Sequence, residues 1–335
     1  MAQIVCFGEI LMRLTAPERE LLLQSPRLAV YFGGAEANVA VSLSVLGHHS
    51  SVVTTLPNSS IGRACAGDLQ RYGVDTRGVQ FAEGRMGLYF LSTGALHRPS
   101  DVIYDRAASA FSLAPAANYQ WSTLLQEVDW LHLSGITPAL STQASVAALD
   151  AVTTARTKGV KISFDCNFRH KLWINRLNEA PKLLQTLASH TDLLFGNSRD
   201  IALMLGMPTP NNRTLDHAHA AAAFAAWPSV QHVAATERSH NTVDHQEIAG
   251  LLISRSGFYK TRSYALRGIV DRIGSGDAFA AGLLHGLLQN MDEAKALDFA
   301  MAAACLKHSV PGDANLLRES DMLDFMQEEG LDIRR

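Results

Sequence analysis

The stretch Asp271-Arg272-Ile273-Gly274-Ser275-Gly276-Asp277-Ala278-Phe279 has the residue types and the spacing that phosphate chemistry needs. Its two glycines permit a turn in which successive N–H groups converge, and the apolar, small-residue segment 280–287 after it reads as a helix whose N-terminus adds partial positive charge. Such a turn suits an anion, a phosphate above all. Asp277 then falls in the first helical turn, where a base facing the acceptor hydroxyl of a phosphoryl transfer has to stand. The plainer alternative makes Asp277 a helix N-terminal carboxylate worth about 0.5 kcal/mol and the glycines an ordinary tight turn. The stretch is not a dinucleotide fingerprint, since Phe279 takes the place of the third glycine, and no Gly-x-x-x-x-Gly-Lys-Ser/Thr run occurs.

A second glycine-rich start, Gly33-Gly34-Ala35-Glu36-Ala37-Asn38-Val39-Ala40, opens a predicted helix that buries Val39, Leu43 and Leu46 and stops at Gly47. The glycines let the backbone approach a ligand, and Asn38, one turn in, offers donors and an acceptor suited to a polyol. Local capping is the competing role for Asn38.

Both segments need a frame that brings them together. From about residue 128, β-rich runs alternate with helical patterns: Trp130-Leu131-His132-Leu133, a helix at 144–156, Val160-Lys161-Ile162-Ser163-Phe164-Asp165, Leu193-Leu194-Phe195, a helix near 201–205, and His232-Val233-Ala234-Ala235 after the alanine run 220–226. This predicts an α/β fold with a mostly parallel sheet covered on both faces, and ligands at the strand carboxyl ends. Two segments, about 12–32 and 84–111, break the alternation. In the second, Met86-Gly87-Leu88-Tyr89-Phe90-Leu91 and Asp101-Val102-Ile103-Tyr104 read as a hairpin, and the two segments are expected to form a small β-lid on one domain spanning 1–335. An amphipathic helix is expected at 321–328.

Composition removes several functions. With 47% hydrophobic and 18% charged residues over 335, the chain buries a large core. Its 29 Lys+Arg against 32 Asp+Glu are scattered and sum to −3, which argues against nucleic acid as a partner. No stretch approaches the roughly 20 apolar residues of a membrane span, and the N-terminus lacks the basic start of a signal peptide. The cysteines, Cys6, Cys65, Cys166 and Cys305, form no Cys-x-x-Cys pair and fit reduced thiols in a cytoplasmic protein. Thirteen histidines, His48-His49 and His217-Ala218-His219 among them, have no metal-ligand spacing and read as structural.

Together, the early Gly-Gly-x-x-x-Asn helix start and the late Asp-x-x-Gly-x-Gly-Asp turn resemble the ribokinase-like (PfkB) carbohydrate kinases over essentially the whole chain. The resemblance implies a three-layer α/β/α sandwich with a β-lid closing over the sugar, ATP with Mg²⁺ as phosphoryl donor, and room for a monovalent cation. By that resemblance Asp277 is the catalytic base and the amides of Gly274, Ser275 and Gly276 form the anion hole. The family's usual alanine is Ser275 here. An ordinary aspartate, with a pKa of about 3.9, lies roughly ten units below a sugar hydroxyl, so proton transfer is expected late, Asp277 orienting the hydroxyl while the anion hole and Mg²⁺ hold the charge.

The expected lid and strand ends carry Tyr89, the run Tyr104-Asp105-Arg106, and Asp165-Cys166-Asn167-Phe168-Arg169. A guanidinium can grip a carboxylate through two parallel hydrogen bonds, so Arg106 and Arg169 in a sugar pocket would suggest a sugar acid; surface ion pairing is their alternative role. These submotifs resemble those of 2-keto-3-deoxygluconate kinases. That likeness implies Gly34, Asn38, Tyr89, Tyr104, Arg106, Arg169 and Asp313 as substrate contacts, and transfer of the ATP γ-phosphate to the 6-hydroxyl. On the nucleotide side it implies Asn197, Thr236, Arg238, Gly274 and Gly276, with Asp200 near the metal through water. Besides Ser275, two positions depart from the family: Asp200 stands for a glutamate in Asn-x-x-Glu, and Arg238 for the glycine of a Thr-x-Gly strand end. The expected partners are a small-molecule sugar acid and ATP, in a homo-oligomer of two or more copies. The alternatives are a fructokinase or other ketose kinase, and a non-catalytic sugar-binding module.

Overall fold

The computed structural model describes residues 1–327 apart from 241 and 244, and of residue 240 the backbone alone. Ten strands form one sheet in the order Phe258–Lys260, His245–Ser254, His232–His240, Leu193–Phe195, Lys161–Asp165, Trp130–Ser134, Gln3–Phe7, His49–Pro57 and Val79–Ala82, with Tyr264–Arg267 also paired to His245–Ser254. From His232–His240 to Val79–Ala82 every neighbouring pair is parallel.

The strands are apolar on both faces because both are covered. Successive residues of Gln3–Phe7 feed opposite cores: Val5 and Phe7 pack with Leu131, Leu133 and Phe164 under the helices Thr142–Lys158 and Ala180–Ser189, whereas Ile4 and Cys6 pack with Val52 and Leu193 under Ala35–Val45 and Ser275–Leu288. This is the three-layer α/β arrangement expected. The first glycine-rich helix runs Ala35–Val45, with Val39, Leu43 and Leu46 buried and Gly47 left-handed at φ +87°.

The antiparallel margin goes beyond the βα alternation. The run at 232–235 continues to His240 and turns back as His245–Ser254, with Arg238 opposite Ile248. Thr236 and Arg238 therefore lie within a strand and not at its end, because an antiparallel partner carries the ladder on. The final helix is Glu319–Met326, two residues earlier than expected at its start; residue 328 lies outside the described residues.

A separate four-stranded sheet has the order Ala29–Gly33, Leu11–Thr15, Gly87–Ser92, Asp101–Asp105. Its outer pairs are antiparallel and its middle pair parallel. The hairpin register sets Tyr89 opposite Tyr104. Phe111, within the second segment by sequence, instead packs against Phe7 in the main core, with ring centroids 5.6 Å apart.

Candidate active site

A cleft of about 830 Å³ is lined from one side by the small sheet, through Leu11, Tyr89 and Tyr104, and from the other by the ends of the parallel strands, through Asp165 and Gly196, with Thr236 inside the strand His232–His240 beside them. The turn before the helix Ser275–Leu288 also lines it. Gly274 is the N-cap, left-handed at φ +78°, and a Cβ there would come within 1.6 Å of the Asp313 carbonyl oxygen. Conformation and space both demand glycine. The Ala278 N–H donates to the Gly274 carbonyl at 2.8 Å, and the Ser275 N–H bonds weakly to the Arg272 carbonyl at 3.4 Å. The Gly276 and Asp277 amides, in the first turn, have no intrahelical acceptor and remain as donors for an anion. Gly274→Ala is expected to shift this turn and cut kcat by about 10²-fold, as removal of an oxyanion donor does. Steady-state kinetics on a variant with an unchanged far-ultraviolet spectrum checks it.

Asp277 faces Asn38, whose Nδ2 donates to Oδ2 at 2.6 Å, while Asn38 Oδ1 accepts from the Gly34 N–H at 3.3 Å. Asn38 therefore accepts from the N-cap residue of its own helix and holds the carboxylate of another. The extended Gly34 sits so close to Glu9 that a Cβ would lie 2.3 Å from the Glu9 carbonyl oxygen. The expectation of an ordinary Asp277 pKa is corrected here. The side chain keeps some exposure to the cleft, but enclosure by protein pushes it up to about 8, the Asn38 bond opposing and Asp165, Glu36 and Asp313 adding to the rise.

Behind the turn lies a charged network that sequence reasoning missed. Arg13, 2% exposed, bridges Asp271 Oδ2 at 2.6 Å and Asp313 Oδ1 at 2.7 Å, and its Nε donates to Thr15 Oγ1 at 2.5 Å. Burial opposes its charge, yet Asp313 and Asp271 outweigh it and hold its proton above the usual arginine range. Tyr89 donates its hydroxyl to Asp313 Oδ2 at 2.5 Å. The network ties the small sheet to the anion turn, and Asp313 and Tyr89, both expected as substrate contacts, satisfy each other within it. A signal existed: in Leu11-Met12-Arg13-Leu14-Thr15 the period of two sets Arg13 on the buried face shared by Leu11 and Thr15.

The two arginines expected to meet a sugar acid differ. Arg106 Nε donates to Glu9 Oε2 at 2.8 Å, Nη2 contacts the same oxygen, and its guanidinium lies 5.7 Å from the Tyr104 ring centroid. Glu9, 4% exposed, also accepts from Ser109 and went unnoticed in the sequence. Arg169 lines the cleft exposed, and its guanidinium has no hydrogen bond or ion pair to a described residue. Asp165, at a strand end, is pushed up to about 7 by burial, with Arg169 opposing and Asp200 adding.

At the other end of the cleft, Asn197 and Asp200 form a capping box: Asp200 N–H donates to Asn197 Oδ1 at 3.3 Å and Asn197 N–H donates to Asp200 Oδ2 at 2.9 Å. Burial raises the Asp200 carboxyl. Among the described residues no three His, Cys, Asp or Glu side chains gather as a metal site. Two carboxylates, Asp200 and Asp165, line this part of the cleft, a sparse set of the kind Mg²⁺ takes beside phosphates and water.

Residues 1–319 match the pattern of the pfkB family carbohydrate kinases. A 2-dehydro-3-deoxygalactonokinase of Haloferax volcanii is 31% identical over 312 residues, 93% of this chain and 92% of that protein. A 2-dehydro-3-deoxygluconokinase of Bacillus subtilis is 27% identical over 323 residues, 95% and 93% of the two chains. The crystal structure of a 2-dehydro-3-deoxygluconokinase from Thermotoga maritima superposes with a TM-score of 0.92 at 36% identity, covering 98% of this chain and 100% of that one. With this match over nearly its full length and the glycine-bounded turn ahead of Asp277 facing a shared cleft, the chain belongs to the pfkB family of carbohydrate kinases.

Proposed function

We propose that this kinase transfers the γ-phosphate of ATP to the 6-hydroxyl of 2-keto-3-deoxygluconate, giving the 6-phosphate and ADP. The observation that carries the reading is one cleft that joins Asp277, beside free helix amides, to Arg106 and Arg169. Two guanidiniums in a sugar site suit a carboxylate. The names of the Haloferax and Bacillus relatives support a keto-deoxy sugar acid.

In this reaction the 6-hydroxyl oxygen bonds to the γ-phosphorus as the bond to the bridging oxygen of ADP breaks. Asp277, held by Asn38, takes the hydroxyl proton, and the Gly274 turn and the Gly276 and Asp277 amides face the charge on the transferring group. When bound, Mg²⁺ neutralises charge across the phosphates, with Asp200 and Asp165 as the neighbouring carboxylates. The small sheet serves as the lid, carrying Tyr89 and Tyr104 over the sugar. Thr236 lines the nucleotide side.

ATP turnover on 2-keto-3-deoxygluconate, its galactonate epimer, fructose and ribose tests the assignment; fast turnover of fructose with neither keto-deoxy acid used removes it. The ketose reading has one observation in its favour, Glu9 already neutralising Arg106. Arg169 then decides. Arg169→Ala is expected to raise KM for the acid sugar by the equivalent of about 2 kcal/mol, one charge-assisted hydrogen bond, and an unchanged KM removes Arg169 from the pocket.

A further inference from the structure

Two arginines at the anion turn have no carboxylate partner among the described residues. Arg238 Nη1 donates to Gln246 Oε1 at 2.7 Å and meets His308 Nε2 at 3.1 Å, while Nη2 donates to Ser275 Oγ at 3.1 Å. All three partners are neutral. His308 places Nδ1 2.7 Å from the Ala304 carbonyl, which makes Nδ1 the donor and leaves Nε2 to accept from Arg238; burial pushes its pKa down to about 4. Arg272, three residues before Ser275, is exposed in the same cleft, and its guanidinium has no hydrogen bond or ion pair to a described residue. Burial and then the charge of Arg272 bring Arg238 down to about 10, so the two guanidiniums repel each other across the turn. Glu237, on the opposite side of the strand, spends its charge on Lys260 at 2.6 Å.

A half-buried cation without a counter-charge is costly in a folded protein, and a bound anion relieves that cost. Arg238 and Ser275 are also the two places where the expected Thr-x-Gly and alanine are replaced, and they touch each other. The side-chain bond to Ser275, the first residue of the helix, fixes the guanidinium beside its positive end.

We propose that Arg238 and Arg272 clamp the polyphosphate of the nucleotide and let this chain bind it without a divalent cation. The clamp rests on the reading of the cleft as an ATP site. Its two positive charges match in number those a bound Mg²⁺ supplies. Gln246, His308 and Ser275 act as positioning residues for Arg238, and turnover still uses the metal.

Calorimetric titration of the whole protein with ATP, in Mg²⁺ and in EDTA, tests it. Wild type is expected to bind ATP in EDTA within about tenfold of its affinity in Mg²⁺, and the Arg238→Gln/Arg272→Gln protein to lose about 10²-fold in EDTA but less than about tenfold in Mg²⁺, given the worth of charge-assisted bonds. Arg272→Gln alone, at an exposed site that leaves folding undisturbed, is expected to lose about tenfold in EDTA. Inorganic tripolyphosphate in EDTA should compete with ATP on wild type and fail on the double variant. Equal losses in both media, or none in either, overturn the clamp. Binding by wild type in Mg²⁺ but not in EDTA overturns the clamp alone, while no ATP binding in either medium overturns the nucleotide reading and the clamp with it.

Discussion

Asp277→Asn is expected to lower kcat by about 10²- to 10⁴-fold, the usual worth of a positioned acid–base group, while ATP affinity stays near that of wild type. An amide fills the same space and can still accept from Asn38 Nδ2, so the helix start and the anion turn persist. What it cannot do is take the proton of the attacking hydroxyl. Stopped-flow turnover with parallel ATP titration separates the two effects, and an active Asp277→Asn protein would refute the base assignment. The same carboxyl sets the pH dependence. Only its ionised form can accept a proton, and enclosure lifts its pKa to about 8, so kcat/KM is expected to climb through neutral pH and level off above about pH 8. An aspartate with the ordinary pKa of about 3.9 would give a flat profile over that range, so a flat profile would mean that burial does not raise this carboxyl in the free enzyme.

Arg13→Met is expected to destabilise the fold by about 3–5 kcal/mol, because it leaves Asp271 and Asp313 buried without their shared counter-charge. Methionine keeps most of the volume, so lost packing contributes little. Urea unfolding measures the loss, and adding Asp271→Asn should recover part of it by removing one orphaned charge. A loss below about 1 kcal/mol would mean that water reaches the two carboxylates and that the pair is worth no more than a surface one. Asp313 packs on Gly274 and Tyr89, so the variant should also bind sugar more weakly.

Much of the frame is legible along the chain, since covered parallel strands write themselves as short apolar runs separated by helical patterns. Leu193-Leu194-Phe195 is three residues long and still marks a strand, because both faces are buried. The antiparallel margin at 245–267 is less visible, being recognised by its partner strand and not by any pattern of its own. Within the site, the turn at Gly274 and the start at Gly34 announce themselves because close backbone approach admits glycine alone. Glu9 and Arg13 do not, since each is a lone charge whose partners, Arg106 and Asp313, lie 97 and 300 positions away.

The order of chemical groups along the chain, and with it the pairing of an anion turn with a nearby carboxylate, was settled by residue type and spacing, because local backbone conformation and helix polarity act within a few residues. The tertiary structure alone decided how those groups behave. Enclosure raised Asp277, Glu9 took part of the charge of Arg106, and neutral partners left Arg238 uncompensated. Desolvation and Coulomb interaction depend on what surrounds a group in space, and that is absent until the chain has folded.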